Sequence, residues 1–444
     1  MIRSFHVMAK PVGPLCNLDC QYCFYQEKER LFPKRERFRI ADETLEAFIR
    51  QYIQLQTTPE IHFIWQGGEP TLLGIDFFRK AISIQKQYAD GRPIRNAIQT
   101  NGTLLDDEWC RFLSEHDFLV GISLDGPAHL HDRYRVDKQG HPTFAAVMRG
   151  IEALKRQGTA FNTLTVVNRL NADHPLEVYR FLKEIGSGFI QFIPLVERKA
   201  DRAARDLNLT LAAPPALDAG SGAAAPVTPW SVTPRQYGEF LVTIFDEWIR
   251  RDVGKVCVQT FEVALGNWMG MGSGLCVFAP RCGTAMAMEH NGDVYACDHY
   301  VYPDYRLGNV LQHSLVELLS SPQQRKFAND KFDALPKRCR NCEVRFACHG
   351  ECPKNRFIET ADGDPGLNYL CTAYRRFFNH IDPYMQRMAH LLRTGRSTTL
   401  IMDWVARRDH EQCLSRAKRN DPCPCLSGKK YKNCCAAARP AHRH

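Results

Sequence analysis

CNLDCQYCFY, residues 16–25, sets three cysteines at C-x3-C-x2-C spacing, Cys16, Cys20 and Cys23, with no fourth cysteine close by. Three thiolates can hold three corners of a 4Fe–4S cubane, which leaves the fourth iron without a protein ligand. An open iron is where a small molecule can bind and receive an electron. A structural zinc site closes its shell with four ligands, so zinc here would need a distant fourth one. Two aromatics, Tyr22 and Phe24, flank the third cysteine; away from cysteines they would read as ordinary core residues.

Outward from this stretch the chain alternates. Apolar runs that end in turn residues read as buried strands: IHFIWQGGEP, NAIQTNGTLL, FLVGISLDG, FNTLTVVN and FIQFIPLV. Between them ETLEAFIRQYIQL, GIDFFRKAISIQKQYA, TFAAVMRGIEALKRQG and PLEVYRFLKEIG carry helical spacing. Strand–helix repetition implies an α/β fold with a parallel sheet and right-handed crossovers. Roughly six units fit before residue 198, which predicts a partial (β/α)6 barrel rather than a closed eight-fold one. The site is then expected at the carboxyl ends of the strands. Residues 199–233, rich in Ala, Pro, Gly and Asp, read as a flexible insertion. Residues 234–386 open with a helix, PRQYGEFLVTIFDEWIRRD, and become a loop-rich, cysteine-rich domain. Residues 387–444 read as a helical basic connector and a small cysteine module.

The composition is that of a folded protein, with 44% hydrophobic and 24% charged residues in 444. No apolar run reaches the ~18 residues of a membrane span, so no membrane is expected. The N-terminus has no long apolar run before a small-residue cleavage site, so no secretion signal is read. Eighteen cysteines, clustered and without such a signal, point to metal ligation in a reducing compartment, the cytoplasm. The net charge of +9 lies entirely after residue 386, where thirteen Lys and Arg face four Asp and Glu. A charge-balanced catalytic body argues against nucleic acid as its substrate.

Gly67, Gly68, Glu69 and Pro70 follow a predicted strand. Glycines let backbone come close to a ligand, and Glu69 with nearby carbonyls can accept hydrogen bonds from an ammonium group. Alone, the tetrapeptide is a turn. Ser123, Asp125 and Asn101 end two later strands, where polar side chains can meet ligand hydroxyls. Arg135 is a candidate partner for a carboxylate, since guanidinium groups pair well with one; its plain reading is a surface arginine.

Together the three-cysteine spacing and GGEP resemble the radical S-adenosylmethionine (SAM) superfamily. The resemblance implies that Tyr22 and Leu195 lie near the adenine of SAM. It implies that the Gly67–Glu69 motif holds the amino group and that Ser123, Asp125 and Asn101 serve the ribose and its surroundings.

A second constellation is richer. Cys276, Cys282 and Cys297 are spaced C-x5-C-x14-C; CRNCEVRFACHGEC adds Cys339, Cys342, Cys348 and Cys352, and Cys371 follows. Eight cysteines suffice for two fully ligated cubanes; two zinc sites are the alternative. The arrangement is similar to the SPASM pattern, which implies one auxiliary cluster on Cys276, Cys282, Cys297 and Cys352. The other would take Cys339, Cys342, Cys348 and Cys371. Asp298, directly after Cys297, is placed to act as a general base, although an Asp after a Cys is usually a turn residue.

CNLDCQYCFY, QGGEPTL, QTNGTLL, SLDGP and the Cys297–Asp298 pair together resemble the anaerobic sulfatase-maturating enzymes, over about residues 1–390. That resemblance implies three 4Fe–4S clusters, SAM, and oxidation of a Cys or Ser of a sulfatase to Cα-formylglycine without oxygen. SAM, split by the first cluster, would yield the radical that removes a β-hydrogen. Asp298 would take the proton, an auxiliary cluster the electron, and Tyr25 would help place the peptide. The implied partners are an unfolded Cys/Ser-x-Pro-x-Arg segment and a reducing electron donor such as a flavodoxin or ferredoxin. A SPASM-type maturase of another ribosomal peptide shares the clusters and is the runner-up.

The third constellation, Cys423, Cys425, Cys434 and Cys435 in RNDPCPCLSGKKYKNCC, resembles the SEC-C motif and implies Zn²⁺ held by four thiolates. A metal-dependent adaptor working through this tail is a reading of a different class. Cys110, Cys257 and Cys413 remain as free thiols.

Overall fold

The computed structural model describes residues 5–34, 36–215, 226–425 and 427–437. Six strands carry the first half: β1 (His6–Lys10), β2 (Ile61–Trp65), β3 (Ile94–Thr100), β4 (Leu119–Ser123), β5 (Phe161–Val167) and β6 (Phe189–Pro194). Each pairs in parallel with its sequence neighbour, as the alternating pattern requires. The sheet does not close. It continues past β6 into the two-residue β7 (Cys257–Val258). At its other edge it takes in β8 (Ala285–Glu289), β9 (Asp293–Tyr295) and β10 (Arg306–Asn309), giving the order β10-β9-β8-β1-β2-β3-β4-β5-β6-β7.

β8 runs parallel to β1, with Met8 opposite Ala287 and Lys10 opposite Glu289. One sheet therefore spans both the partial barrel and the cysteine-rich half. The join rests on backbone hydrogen bonds rather than on a linker. β1 was not among the predicted strands: HVMAK is short and ends in a lysine. Its core side is nonetheless sealed by Phe5, Val7 and Ala9, each 1% exposed.

The first helices bury an aromatic wedge against β2. Phe48 and Tyr52 meet Phe63 and Trp65 edge-on at 5.0–6.4 Å, a preferred geometry for aromatic rings. The Trp65 indole donates to Asn96 Oδ1 at 2.8 Å, so its polar atom is satisfied. Beyond β6 the helix Pro234–Arg251 starts with a capping box between Thr233 and Gln236. It lies against the helix Cys371–Arg393, and a Cβ on Gly238 would come 3.1 Å from Ala373 Cα. This close approach fixes Cys371, at the start of the second helix, relative to the barrel.

Two boundaries differ from expectation. The flanks of residues 199–233 are built into the fold: Lys199 bridges Leu211, Arg198 bridges Val227, and Arg202–Asp206 is a helical turn. Ala204 and Leu209 are buried with Tyr302, and Thr210 donates from its N–H and hydroxyl to Glu27, both at 2.7 Å. Leu209 and Leu211 anchor one flank and Val227 and Val232 the other, so a flexible reading does not describe these flanks; residues 216–225, its middle, lie outside the described residues. The expected boundary at 386/387 falls inside the helix Cys371–Arg393. The connector is the helix Leu400–Arg416, held to the body by Arg250–Asp409 at 2.8 Å and by Trp404 on Tyr384. No helix among the described residues is long and apolar enough to cross a membrane.

Candidate functional site

A cavity of about 500 Å³ opens at the carboxyl ends of the strands. Cys16, Cys20 and Cys23 line one part of it, and Cys276, Cys297 and Cys352 another. Chemistry at the first set can therefore reach the second without crossing solid protein.

The first cysteine loop is zipped to the loop after β2. Gly68 N–H donates to Gly13 O at 2.7 Å and Glu69 N–H to Leu15 O at 2.9 Å. A Cβ at Gly68 would sit 1.9 Å from Leu15 O, so only glycine fits. Gly67 and Gly68 line the cavity, as their expected role requires. Glu69 does not. It is fully buried, and its carboxylate accepts from Thr71 N (3.0 Å), Thr71 Oγ1 (2.6 Å), Thr100 Oγ1 (2.7 Å) and Asn101 N (2.7 Å). Three of these bonds end on Oε1 and one on Oε2, so Glu69 staples the loops after β2 and β3 from a position behind the cavity lining. Asn101, placed by that staple, directs Nδ2 to Asn17 (2.9 Å) and toward Cys16 Sγ at 3.8 Å.

Asp125 is held in the same way. It is fully buried and takes hydrogen bonds from the Tyr22 hydroxyl, from Arg135 Nη2 (3.3 Å) and from Val166 N (3.0 Å). Arg135 Nε lies 3.1 Å from its other oxygen. The carboxylate thus orients Arg135 and Tyr22 from behind the cavity lining. Arg135 itself lines the cavity beside Cys20, as do Tyr22, Ser123 and Leu195.

In the cysteine-rich half the cysteines lie in two neighbourhoods. Cys297 lies within electrostatic reach of Cys352 and Cys276, and Cys282 of Cys276 and Cys352. Cys339, Cys342, Cys348 and Cys371 form a separate neighbourhood. Burial pushes the Cys16 thiol up to about 11 and Cys20 to about 12, and raises Cys23 as well. Buried thiols that would otherwise keep their protons suit a bound cation that replaces them. None of these eleven cysteines belongs to a set whose ligand atoms all come within 4.8 Å. Four thiolates on one zinc sit about 3.8 Å apart, given Zn–S bonds near 2.3 Å. The wider spacing fits a multi-iron cluster better than a single ion. Cys423, Cys425, Cys434 and Cys435 do satisfy the short spacing, with sulfur–sulfur distances of 3.3 and 3.4 Å.

Asp298 projects into the cavity from the one-turn helix Asp298–Tyr300, directly after Cys297. Its Oδ1 is 2.5 Å from Lys10 Nζ, and the Lys10 side chain is only 2% exposed. Burial works to raise the Asp298 carboxyl, but the Lys10 ammonium holds it below the ordinary carboxylate value. The Lys10 ammonium also lies 3.6 Å over the ring of Tyr25, a cation–π contact. The Tyr25 hydroxyl donates to Glu289 Oε1 at 2.6 Å, so its ring is fixed while facing the cavity. Burial, with Lys354 nearby, pushes His299 down to about 4 and leaves it neutral. Lys354 pairs with Glu197 on the same wall.

Lys10, His299, Lys354 and Glu197 were not singled out from the sequence. The available signal was a lysine ending an apolar strand, which takes on meaning only once β8 is known to lie beside β1.

Residues 11–182 match the radical SAM superfamily, residues 276–343 an iron–sulfur cluster-binding domain called SPASM, and residues 419–437 the SEC-C motif. The chain is 48% identical over 400 residues to a serine-type anaerobic sulfatase-maturating enzyme of Bacteroides thetaiotaomicron, covering 90% of this chain and 95% of that one. It is 32% identical to a cysteine-type enzyme of Clostridium perfringens, over 86% and 98% of the two chains. The solved structure of native anSMEcpe with bound AdoMet and Cp18Cys peptide superposes with a TM-score of 0.75 at 30% identity, covering 88% of this chain and all of that one. Identity of this extent along nearly the whole of both chains places the protein in a family: it belongs to the anaerobic sulfatase-maturating enzymes of the radical SAM superfamily.

Proposed function

We propose that the protein oxidises a serine or cysteine of a sulfatase to Cα-formylglycine without oxygen, acting on an unfolded Cys/Ser-x-Pro-x-Arg segment. One observation carries the reading: Asp298, ion-paired to Lys10, shares a cavity with Cys16, Cys20, Cys23 and Arg135. When bound, SAM and three 4Fe–4S clusters supply a hydrogen-abstracting radical and an electron acceptor. Cys16, Cys20 and Cys23 would hold the first cluster. Cys276, Cys282, Cys297 and Cys352 would hold the second, and Cys339, Cys342, Cys348 and Cys371 the third.

The remaining work is positioning and proton transfer. Arg135, held by Asp125, offers a cation to the SAM carboxylate. The backbone at Gly67 and Gly68 approaches its ammonium group, Ser123 its ribose, and Tyr22 and Leu195 its adenine. Asp298, kept ionised by Lys10, accepts the proton of the target hydroxyl or thiol. The Tyr25 ring steadies the peptide, and the enclosed cavity keeps water from the reacting carbon. The SEC-C thiolates would bind Zn²⁺. A flavodoxin or ferredoxin would serve as reductant, and the reduced thiols suit the cytoplasm. Greater identity to a serine-type relative than to a cysteine-type one favours serine as the natural target.

The test is anaerobic incubation of reduced enzyme and SAM with paired Ser- and Cys-containing peptides. Mass spectrometry should find two hydrogens lost from the Ser peptide and formylglycine from the Cys peptide. SAM cleavage that leaves both peptides unchanged, or crosslinks one, would remove this reading and favour a maturase of another ribosomal peptide.

A pH prediction follows from the ion pair. The Asp298–Lys10 interaction is present above the unfolded carboxylate value of about 3.9 and is lost as pH falls through the lower folded value. Lys10→Met removes the cation and leaves burial to dominate. The acid limb of the rate profile should then move up by about 1–3 pH units, as read from formylglycine yield between pH 4 and 8. An unmoved limb would mean that Lys10 does not set the ionisation of Asp298.

A further inference from the structure

We propose that the Lys331 ammonium, with the Arg356 guanidinium behind it, sets the reduction potential of the cluster on Cys276, Cys282, Cys297 and Cys352 and fits that cluster to take an electron from the peptide. The inference rests on the radical SAM reading above. Three of these cysteines, Cys276, Cys297 and Cys352, line the cavity. A redox group held there is the one nearest the reacting carbon.

Lys331 comes from the helix Pro322–Asp333, whose two buried side chains, Gln324 and Lys331, are both polar. Phe327 gives this helix an aromatic contact with Tyr300 and Tyr305. Its polar attachments all go to backbone beside the cysteines. Gln324 Nε2 donates to Gly283 O at 3.1 Å and to Ala296 O at 3.2 Å, next to Cys282 and Cys297. The Cys282 N–H donates to Ala328 O at 3.2 Å. Lys331 Nζ donates to Cys276 O at 2.6 Å and to Val277 O at 2.9 Å. The ammonium is thereby fixed against the segments that carry Cys276, Cys282 and Cys297.

Arg356 stands directly behind. Its Nη1 donates to Lys331 O at 2.6 Å, its Nε to Gly350 O at 2.9 Å, and its Nη2 to His349 O at 2.7 Å and Glu351 O at 3.0 Å. Lys331 is 0% exposed and Arg356 2%. Every hydrogen-bond acceptor of the two cations is a main-chain carbonyl, and among the described residues no carboxylate is ion-paired to either. Glu351 lies within electrostatic reach of both, but its carboxylate takes hydrogen bonds from Asn355 and Asn368 instead. A buried charge without an opposite charge is costly. What these two face is thiols: Cys276, Cys282 and Cys352 for Lys331, and Cys352 with Cys339 of the other set for Arg356. A cubane on four thiolates is an anion and becomes more negative on reduction. A fixed, buried cation beside it therefore favours the reduced form and raises the potential.

The reaction gives this charge a use. Splitting SAM consumes one electron from the first cluster. Oxidising CH₂–OH to CH=O then removes one hydrogen atom, which leaves in 5′-deoxyadenosine, one proton, taken by Asp298, and one electron. The cluster beside Lys331 receives that electron and is reduced by it. One electron is spent and one returned, so the protein's electron count is unchanged over a turnover.

The test is a redox titration of the full-length holoenzyme, followed by electron paramagnetic resonance. The signal that responds to added SAM belongs to the first cluster, and the others are auxiliary. Lys331→Met should lower one auxiliary midpoint potential by at least about 59 mV, a tenfold change in a one-electron equilibrium, with iron kept at about twelve per chain. Lys331→Arg keeps the charge and should hold the wild-type potential, a rescue that a merely structural side chain does not predict. An unmoved potential in Lys331→Met with full iron would overturn the proposal, as would an equal shift in Lys331→Arg. Should Lys331→Met lose iron, Lys331→Gln decides, because it can still donate to a carbonyl. Iron loss from both would make Lys331 a fold contact and overturn the proposal. Failure of the sulfatase reading shows separately, as SAM cleavage that leaves both peptides unchanged while the potentials still differ.

Discussion

Asp298→Asn is expected to lower formylglycine production by about 10²–10⁴-fold, the usual contribution of a positioned general base, while SAM cleavage continues. Asparagine keeps the size of the side chain and can still present an oxygen to Lys10, 2.5 Å away, but it cannot take a proton. The groups assigned to SAM lie elsewhere: Arg135 is held by Asp125, and Gly67 and Gly68 belong to the loop after β2. Neither depends on the charge of Asp298. The readouts are 5′-deoxyadenosine by chromatography and peptide mass by spectrometry, followed in the same reaction. Cleavage without product is the expected pattern; product at the wild-type rate would take Asp298 out of the chemistry. Loss of both would mean that an unpaired Lys10, 2% exposed, distorts the cavity. Lys10→Met/Asp298→Asn would then restore cleavage.

Gly68→Ala is expected to remove the N-terminal cluster and leave the others. The added methyl would stand 1.9 Å from Leu15 O, 2.4 Å from Leu15 C and 2.8 Å from Pro14 C. All three are backbone atoms, so no rotamer change relieves the collision. The loop must move, and it carries Cys16 on its next residue while losing the Gly68–Gly13 and Glu69–Leu15 hydrogen bonds. Iron should fall from about twelve to about eight per chain, and SAM cleavage should cease. Gly74→Ala is the control. Unlike Gly68 it sits at positive φ, +78°, but nothing lies within 4 Å of its Cβ. It should cost about 1–3 kcal/mol of stability through backbone strain alone and keep all its iron. Full iron with active SAM cleavage in Gly68→Ala would mean that the loop tolerates displacement and that its zipper does not position Cys16.

The three cysteine sets were readable in the sequence because metal ligation writes itself in short spacings. Strands β2 to β6 were readable because each is an apolar run closed by a turn. The structural part of Glu69 and Asp125, both behind the cavity lining, was hidden for a common reason. An acidic residue at a strand end looks like a ligand group, yet the donors that occupy it come from far along the chain: Thr100 and Asn101 for Glu69, Val166 and Arg135 for Asp125. Local sequence carries no trace of such pairings. Lys10 was hidden the same way, since its partners Asp298 and Tyr25 meet it only through the β1–β8 pairing. The flanks of the insertion looked unstructured because a few scattered apolar residues, Leu209 and Leu211 on one side and Val227 and Val232 on the other, hold them rather than a periodic run.

The pairing of β8 with β1 has a consequence for biosynthesis. At about 5–20 residues per second, the ribosome needs some tens of seconds to travel from Lys10 to Glu289. Throughout that interval the nascent barrel has one edge strand with unmet amides and carbonyls, and such edges recruit other chains. Fragments ending before residue 285 should therefore be recovered as aggregates.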